Sequence, residues 1–378
     1  MKIAIIGSRG MHASYGGIER VLCELCPRLA ALGHEVHVFS EAGCPLPDKP
    51  APGVHIVKVR GLPGKYTETL SRSALSLAIA LTQRFDVINL VAIGPGALSF
   101  IPRLAGKPTV VSVHGLDWRR DKWPWIARVL LRSAERMIVL AADEITVVSR
   151  QLETHFAQAH GRAVVHIPNG LNRRDVHPDQ ECLDDFGLEA GRYVLFASRL
   201  VAEKGAHELI EAFNGVDTDM KLVIAGGTRY DQRYAARLRA LDTTGRCIFT
   251  GHVTGRSLDA LFAGAYFYAL PSHLEGLSLS LLEAVGFGKA TLVSDIPENI
   301  EVVGEHGLTF PVGRVDLLRD RLQQLIDHPQ LVEDIAARVR TAVPRHYAWD
   351  TLARRYAQTF EDLVARRQPG GRPQSATR

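Results

Sequence analysis

The residues best suited to chemistry include two cations on a loop after a predicted strand in the second half of the chain. The loop reads Ser198-Arg199-Leu200-Val201-Ala202-Glu203-Lys204-Gly205 and follows the apolar run Tyr193–Ala197. An arginine fork and a lysine point charge five residues apart can clamp a diphosphate. A solvated charged loop explains the same residues equally well.

A second loop carries two carboxylates around a predicted helix start. Glu275 precedes Gly276 and two serines, and Glu283 lies one to two turns inside the helix predicted from Leu279. Carboxylates in these places can accept hydrogen bonds from vicinal hydroxyls, as sugars and riboses require, and the loop N–H groups between them favour an anion. Glutamates near a helix start can also offset the helix dipole, but that explanation covers only one of the two.

Near the start of the chain, glycines follow the first predicted strand. Lys2–Ile6 ends in Gly7-Ser8-Arg9-Gly10, and the next helix begins after Gly16 and Gly17. The fingerprint G-x-G-x-x-G is absent from this loop, although Glu41 ends the second strand, where dinucleotide folds place a ribose acid. Adjacent glycines let backbone approach a ligand, and N–H groups at a helix start attract phosphate; a plain loop-to-helix turn remains the alternative.

These loops belong to an alternation of apolar strands and amphipathic helices, which predicts parallel sheets covered on both faces. The alternation restarts after Pro168-Asn169-Gly170, so we predict one doubly wound domain over 1–168 and another over 169–348. A helix at about 349–366 is predicted to cross back to the first domain, and the tail 367–378 to be disordered. The predicted strands are Lys2–Ile6, Glu35–Phe39, Val54–Val59, Val87–Val91, Thr109–Val113, Glu144–Val148, Tyr193–Ala197, Lys221–Ala225, Arg246–Phe249, Ala265–Ala269 and Ala290–Val293.

The composition is that of a globular protein with about two domains. The chain has 378 residues, of which 46% are hydrophobic and 23% charged, which excludes a disordered or fibrous chain. Residues 1–170 carry 20 Lys or Arg against 13 Asp or Glu, so the basic charge lies mostly in that half. The longest apolar run, Ala74–Leu81, is too short to span a bilayer, and the first strand is too short for a signal peptide. We therefore expect a cytoplasmic protein.

Three other patterns favour structural roles over chemistry. Cys23 and Cys26 form a C-x-x-C on an apolar helical stripe, and five cysteines imply no disulfide framework, so we predict buried thiols. Asp217-Thr218-Asp219 has a metal-binding spacing but lies in a polar turn, where we expect solvated charges. His34-Glu35-Val36-His37 lacks the zinc spacing H-E-x-x-H. We predict no metal site.

Taken together, the motifs resemble the retaining glycosyltransferases of family 4. The resemblance rests on Glu275 and Glu283, on the 198–205 loop and on Gly16-Gly17-Ile18-Glu19-Arg20, and it runs from Met1 to about Val364. Supporting motifs are Val111–Gly115, Pro168–Gly170, Ala225–Gly227 and Phe249–Val253. The resemblance implies an α/β, GT-B fold of two Rossmann-like domains with an interdomain cleft. The N-terminal motifs resemble a bacterial subgroup that builds surface polysaccharides or glycolipids and often includes rhamnosyltransferases.

The resemblance implies a nucleotide diphosphate sugar as donor, an acceptor hydroxyl and retention of anomeric configuration, with no metal or other cofactor. The implied catalytic residues are Glu275, His114, Arg199 and Lys204. Among the implied donor-binding residues, Arg199 and Lys204 bind the diphosphate, Glu275 the hydroxyls of the transferred sugar, and Glu283 the ribose. The sugar or phosphate is also met by Gly16 and Gly17 and by the backbone of Gly276, Leu277, Ser278 and Leu279. The base is met by His252 and Val253. The implied acceptor-binding residues are Arg9, Asp117 and Trp118. Leu277-Ser278 stands where many members have Phe-Gly, which leaves the identity of the donor open.

Two other classes of protein use related architecture. A dehydrogenase or sugar-nucleotide epimerase would bind a dinucleotide or turn over without an acceptor, and a non-enzymatic sensor would bind nucleotide sugar alone. The full set Arg199, Lys204, Glu275 and Glu283 favours the transferase, because a binding protein would not need all four.

A tryptophan-rich, basic segment predicts contact with a membrane. Three of the four tryptophans lie within residues 118–125, beside Arg119, Arg120, Lys122, Arg128, Arg132 and Arg136. Tryptophan and basic side chains suit the headgroup region of an anionic bilayer. The expected partners are therefore the nucleotide sugar, a glycan or lipid-linked acceptor and the inner face of the plasma membrane, with no nucleic acid. Alternatively, Trp118 lines the acceptor site and Ile126, Val129 and Leu130 pack in the core.

Overall fold

A computed structural model describes residues 1–12, 16–45, 50–64, 67–120, 123–228, 231–343 and 346–367. The chain divides into two compact units, one formed by Met1–Asn169 with the segment from Trp349 onward, the other by Gly170–Ala348. Each unit has one parallel sheet with helices between its strands. Within the described residues, no helix is long and apolar enough to cross a bilayer.

The first unit contains a seven-stranded parallel sheet in the order β3-β2-β1-β4-β5-β6-β7. All residues of β4 and β5 are buried, as expected of strands covered on both faces. The strands are β1 Lys2–Ile6, β2 Glu35–Glu41, β3 Val54–Val59, β4 Val87–Val91, β5 Thr109–Val113, β6 Glu144–Val147 and β7 Val165–His166. The helices are α1 Gly17–Ala31, α2 Glu68–Leu81, α3 Ile93–Gly96, α4 Phe100–Leu104, α5 Trp125–Ala141 and α6 Arg150–His160.

The second unit contains a six-stranded parallel sheet in the order β10-β9-β8-β11-β12-β13. The strands are β8 Tyr193–Ala197, β9 Lys221–Ala225, β10 Cys247–Gly251, β11 Phe267–Leu270, β12 Thr291–Ser294 and β13 Leu308–Phe310. The helices are α7 Gln180–Asp184, α8 Ala206–Asn214, α9 Gln232–Leu241, α10 Gly255–Gly264, α11 Leu279–Gly286, α12 Pro297–Val303, α13 Val315–Asp327 and α14 Pro329–Ala342. Every residue of β8 and β11 is buried.

In both sheets the strand order reverses beside the first strand of the unit, β1 or β8. The second and third strands of each unit lie on one side of its first strand. The later strands lie on the other side, beginning with β4 or β11. Open sheets of this kind bind ligands at the carboxyl ends of the strands that flank the reversal. The α/β prediction of two doubly wound, Rossmann-like sheets is therefore confirmed.

The last helix, α15, spans Trp349–Arg367 and packs on the first unit. Its apolar stripe is buried, including Leu352 and Phe360 at 0% exposure. At one end, Arg28 Nε of α1 donates to Asp350 Oδ1 over 2.8 Å, and at the other Arg366 Nη2 donates to Glu144 Oε2 over 2.9 Å. Arg367 ends this helix, and the rest of the predicted tail, 368–378, lies outside the described residues.

The observed strands differ from the predicted ones mainly at their ends. The strand predicted from Ala265 begins at Phe267, because Ala265 caps the carboxyl end of α10. The strand predicted over Arg246–Phe249 runs on to Gly251, where it pairs with β9 through an irregular register. Neither β7 nor β13 was predicted, since strands of two and three residues carry no clear periodicity.

Candidate active site

Backbone hydrogen bonds join the carboxyl ends of three neighbouring strands in the second unit. Gly226 N donates to Gly251 O over 2.8 Å, and Leu200 N donates to Gly227 O over 3.1 Å. Position 226 requires glycine, because a Cβ there would lie 1.8 Å from the carbonyl oxygen of Ser198. The ends of β10, β9 and β8 therefore form one continuous edge.

The loop after β8 lies directly against the loop after β11. A short 3-10 turn over Ala202–Lys204 ends at Gly205, whose φ is +70°. A Cβ at Gly205 would lie 2.1 Å from Pro271 O, so only glycine permits this contact. The close approach brings the Lys204 ammonium to Glu275, and the two form an ion pair between Nζ and Oε1.

This ion pair is almost fully removed from solvent. The side chains of Lys204 and Glu275 are 10% and 5% exposed. Buried charges are tolerated only when paired and hydrogen-bonded, and here Ser272 Oγ donates a further hydrogen bond to Glu275 Oε1 over 2.8 Å. Lys204 and Glu275, which the sequence predicts to bind diphosphate and sugar separately, are thus direct partners.

Three buried polar residues that the sequence analysis missed support Glu275. Ser294 Oγ, at the end of β12, donates to Ser272 O over 2.5 Å, and Asn299 Nδ2 donates to Ser294 Oγ over 3.0 Å. Ser272, Ser294 and Asn299 are each 0% exposed. Single polar residues scattered over a loop, a strand end and a helix form no recognisable motif, so only the fold reveals this chain of hydrogen bonds.

Arg199 differs from Lys204 in its surroundings, although both lie on the same loop. Its side chain is 51% exposed, with Nη2 at 3.9 Å from Glu203 Oε1. Glu203 O accepts from His273 N over 2.9 Å, and His273 Nε2 contacts Glu208 Oε1 at 2.7 Å, which links the two loops a second time. This hydrogen bond to Glu208 raises the pKa of His273 above its ordinary value, against the effect of burial.

Helix α11 begins at the end of the second loop. Ser278 caps it by accepting from Leu281 N over 3.3 Å, and Leu277 is buried. Tyr268 of β11 donates its hydroxyl to Ser280 Oγ over 2.8 Å, and burial raises the pKa of that phenol. Gly276 and Leu279 are half-buried, and Glu283 lies half-buried inside α11. The helix start is held rigidly, with its N–H groups at the same edge as Glu275.

The two residues predicted to meet the base follow β10. His252 is exposed, Val253 is half-buried, and the Cβ of His252 would lie 3.3 Å from a Cβ added at Gly227. The close fit places His252 beside the end of β9.

In the first unit, the predicted site residues follow β1 and β5, which flank β4. Gly16 precedes α1, and Arg9 N donates to Glu19 Oε1 over 3.0 Å, which ties the loop after β1 to the first turn of the helix that begins at Gly17. Burial lowers the pKa of His114 to about 4, and Asp117 opposes this effect only in part. The His114 imidazole is therefore neutral at physiological pH.

Trp118, a predicted acceptor residue, has its indole N–H already engaged. Nε1 donates to Glu135 Oε2 over 2.6 Å, and the guanidinium carbon of Arg132 lies 4.5 Å from the centroid of its ring. Glu135 Oε1 accepts from His155 Nε2 and His160 Nε2, each over 2.7 Å. Direct hydrogen bonding from the Trp118 indole to an acceptor would require this bond to break.

Glu135 remains ionised far into the acid range. Burial alone would raise its pKa, but the hydrogen bonds from His155, His160 and Trp118 hold the pKa of Glu135 at about 2. A depressed carboxyl pKa stabilises the fold above the ordinary value of 4.5, and the stabilisation is lost as pH falls toward 2.

The cysteine, aspartate and histidine patterns for which the sequence favours structural roles differ in their surroundings. Cys26 is buried, whereas Cys23 is only half-buried, and burial raises the pKa of Cys23 to about 11. Asp219 pairs with Arg192 at the surface. Glu35 Oε1 contacts His37 Nε2 at 2.6 Å and Lys2 Nζ at 3.4 Å. The prediction that the chain holds no metal stays a prediction.

Known proteins share both the sequence and the fold. The family model of "Glycosyl transferases group 1" matches residues 185–342, and that of "Glycosyltransferase Family 4" matches residues 15–174. D-rhamnosyltransferase WbpZ of Pseudomonas aeruginosa is 27% identical over 358 residues, covering 86% of each chain. GDP-mannose:cellobiosyl-diphosphopolyprenol alpha-mannosyltransferase of Xanthomonas oryzae pv. oryzae is 26% identical, covering 94% of this chain and 96% of its own.

Among solved structures, sucrose-phosphate synthase from Thermosynechococcus elongatus superposes with a TM-score of 0.83 at 20% identity, covering 97% of this chain and 99% of that one. The fold and the two sequence matches define the chain as a nucleotide-sugar-dependent glycosyltransferase with the GT-B fold. Its two family matches and its relatives are those of a bacterial glycosyltransferase of the family 4 type.

The unequal burial of the two loop cations predicts different effects of removing each one. Lys204→Ala leaves the buried Glu275 carboxylate without its ion-pair partner, and breaking a buried pair costs about 3–5 kcal/mol of unfolding free energy. Arg199→Ala, the matched control on the same loop, should change stability by about 0.5 kcal/mol or less, since its side chain is 51% exposed. Chemical denaturation measures both values.

Calorimetry on the same two variants tests the binding role. Each should lose about 1.5–3 kcal/mol of nucleoside diphosphate affinity, as expected for a hydrogen bond to a charged group. Unchanged affinity in both variants, or equal stability losses, would contradict this description of the loop.

Proposed function

We propose that this enzyme transfers a hexosyl or rhamnosyl group from a nucleotide diphosphate sugar to a glycan or lipid-linked acceptor, with retention of configuration and without a metal. The observation that carries the proposal is the buried Lys204–Glu275 pair, held at the carboxyl edge of β8 and β11 beside the start of α11. This combination offers a cation and helix N–H groups for phosphate and a fixed carboxylate for hydroxyls.

Lys204 and Arg199 are suited to two stages of diphosphate binding. Arg199 is half-exposed and can meet the phosphates as they arrive from solvent. Lys204 is buried, where a charge interacts more strongly with the negative charge that develops on the leaving group. Together they supply the stabilisation that a divalent ion supplies in other transferases, which supports metal independence.

Glu275 and Glu283 would recognise the hydroxyl groups of the donor. Glu275 already accepts from Lys204 and Ser272 at one oxygen, Oε1, and its other oxygen can accept from the transferred sugar. Glu283, inside α11, would take the ribose hydroxyls. His114, neutral because its pKa is about 4, would meet the sugar as an uncharged donor or acceptor.

In the proposed reaction, the bond between the anomeric carbon and the diphosphate oxygen breaks, and the acceptor oxygen forms its bond on the same face. The positive charge that builds up on the sugar ring is balanced by the departing diphosphate on that face. The proton of the acceptor hydroxyl passes to a departing phosphate oxygen, so no side chain is needed as general base.

The names of the relatives indicate which sugars to test first. One relative is named for D-rhamnosyl transfer and another for transfer from GDP-mannose. Both transfer sugars of the manno configuration, which supports a guanosine diphosphate donor of that kind. Leu277 and Ser278, at the place where many family members have Phe-Gly, adjoin the proposed sugar site and are candidates for setting this preference.

Turnover should therefore be seen first with a GDP-linked manno sugar. The purified enzyme, a polyprenyl-diphosphate-linked glycan acceptor and separate GDP-, UDP- and dTDP-sugars would be incubated with EDTA, and the product examined by NMR. We expect transfer in EDTA, faster with the GDP-sugar, with the anomeric configuration of the donor preserved.

Each part of the proposal has its own contradicting result. Activity lost in EDTA and restored by Mn²⁺ would contradict metal independence, and an inverted product would contradict retention. Epimerised nucleotide sugar formed without acceptor, or binding with no reaction, would favour the competing classes.

An exposed apolar face on α5 supports a membrane-bound acceptor. Its residues, called here the α5 patch, are Ile126, Val129, Leu130, Met137 and Leu140, each between 37% and 73% exposed. Their spacing places them on one side of the helix. The alternative that Ile126, Val129 and Leu130 pack in the core of this unit is therefore wrong.

Other side chains strengthen the case for an anionic lipid surface. Trp125 at the start of α5 is 74% exposed, and Leu104 of α4, which packs beside α5, is 83% exposed. Arg132 and Arg136 are exposed on the same helix, while Lys122 lies outside the described residues. Tryptophan and basic residues beside an apolar face are typical of helices that lie in the membrane interface.

Liposome sedimentation tests this surface. Ile126→Glu with Leu130→Glu should reduce binding to anionic vesicles at low salt about 10-fold or more, because two apolar side chains lose burial worth about 1.5–3 kcal/mol each. Ile300→Glu, at a position 44% exposed in the second unit, is the matched control and should bind normally. Wild-type protein that stays in the supernatant, or a double variant that binds as well as wild type, would contradict the proposal.

A further inference from the structure

A buried carboxylate in the first unit receives three hydrogen bonds from outside its own helix. Glu135 of α5 is 4% exposed and accepts from His155 and His160 of α6 at one oxygen and from Trp118 at the other. An ionised carboxylate only accepts hydrogen bonds, so both imidazoles donate through Nε2. Neither α5 nor α6 contains Trp118; it belongs to the segment after β5.

This arrangement fixes the place of Trp118. The indole N–H can only donate, and Glu135 Oε2 is its partner at 2.6 Å. The guanidinium groups of Arg132 and Arg119 lie 4.5 and 5.4 Å from the centroid of the Trp118 ring. Cation–π attraction at these distances further stabilises the position of the ring. Two histidines in turn fix the Glu135 carboxylate, so that the rotamer of Trp118 depends on residues from two helices.

The position of Trp118 affects its neighbours in the chain. Trp118 lies in the 3-10 turn Asp117–Arg119, which follows His114 by three residues, and Arg120 Nη1 lies 3.3 Å from Asp117 Oδ1. If Trp118 were released, the whole turn would lose its anchor to the body of the unit. The turn carries Asp117 and Trp118, which the resemblance to family 4 implies as acceptor-binding residues.

We propose that Glu135, braced by His155 and His160, is a positioning residue that holds Trp118 and the 114–119 segment in the geometry that binds the acceptor. The acceptor part of this inference rests on the proposed function. Helix α5 carries Glu135 on one face and the α5 patch on another. The same helix therefore connects the proposed membrane-binding surface to the 114–119 segment.

The first test measures the hydrogen bond without using activity. In protein labelled with ¹⁵N-tryptophan, the indole N–H signal of Trp118 is assigned by its absence in Trp118→Phe. We expect slow exchange of this hydrogen with solvent in the wild type and exchange at least 10-fold faster in Glu135→Ala and in His155→Ala with His160→Ala. Fast exchange in the wild type would overturn the proposal, whatever the enzyme transfers.

The second test separates positioning from general structure. Glu135→Ala and Trp118→Phe should each raise the acceptor KM about 10-fold or more and leave nucleoside diphosphate affinity within twofold. The double variant should show no further loss, because both changes remove one interaction. Additive losses, or an unchanged acceptor KM in a folded Glu135→Ala protein, would overturn the proposal; if Glu135→Ala does not fold, Glu135→Gln replaces it.

Native mass spectrometry with added Zn²⁺ tests whether the same three side chains bind a metal ion instead of positioning Trp118. Glu135, His155 and His160 offer three ligand atoms within 4.8 Å of one another. We expect no tightly bound zinc, because the carboxylate already accepts three N–H groups. One zinc per chain that is lost in His155→Ala with His160→Ala would overturn the proposal in favour of a metal centre.

Discussion

The buried ion pair between Lys204 and Glu275 is the interaction on which the proposed donor site depends. It exists because β8 and β11 are hydrogen-bonded neighbours at the reversal of strand order, so their following loops emerge side by side. Gly205 allows the loops to touch, and Ser272 shares the carboxylate. Burying two charges costs free energy unless they are well paired. The ion pair therefore holds the two loops in one geometry in the absence of ligand. A diphosphate and a sugar would meet groups that are already oriented, which is how electrostatic catalysis gains its advantage.

The two units use one topology for different tasks. In the second, a buried chain of hydrogen bonds runs from Asn299 of α12 through Ser294 at the end of β12 to Ser272, which donates to Glu275. In the first, a neutral His114 and a turn anchored through Trp118 follow β5, and the anchoring helix α5 bears an exposed apolar face. Under the proposed function, the donor side would rest on buried charge, and the acceptor side would be connected to a helix whose exposed apolar face suits a membrane surface.

Much of the fold is predictable because parallel strands buried on both faces leave continuous apolar runs such as Tyr193–Ala197, and the loops after them carry recognisable charge. The sequence placed Arg199, Lys204 and Glu275 on loops that follow strands, and Glu283 in the helix after the second loop. It could not show that Lys204 and Glu275 are partners, because they are distant in the chain and no local pattern encodes the contact. The cluster of Glu135, His155 and His160 could not be predicted for the same reason. Glu135 is distant in the chain from the two histidines, and only the fold brings the side chains of α5 and α6 together. The acceptor role of Trp118 stays a prediction, and the sequence could not show that its indole N–H donates to Glu135.

The most direct measurement compares the affinity of Glu275→Gln and wild-type enzyme for a nucleoside diphosphate and for the corresponding nucleotide sugar. The substitution keeps the shape of the side chain and an acceptor for Ser272, but it removes the charge that pairs with Lys204 and that would bind the sugar hydroxyls in the proposed site. We expect the variant to bind the diphosphate at least as tightly as wild type, since Lys204 then pairs with the phosphates alone. We also expect a loss of about 10-fold or more in affinity for the nucleotide sugar, with a larger loss of turnover. Equal losses for both ligands would contradict the assignment of Glu275 to the sugar, and with it the central claim that the ion pair organises the donor site.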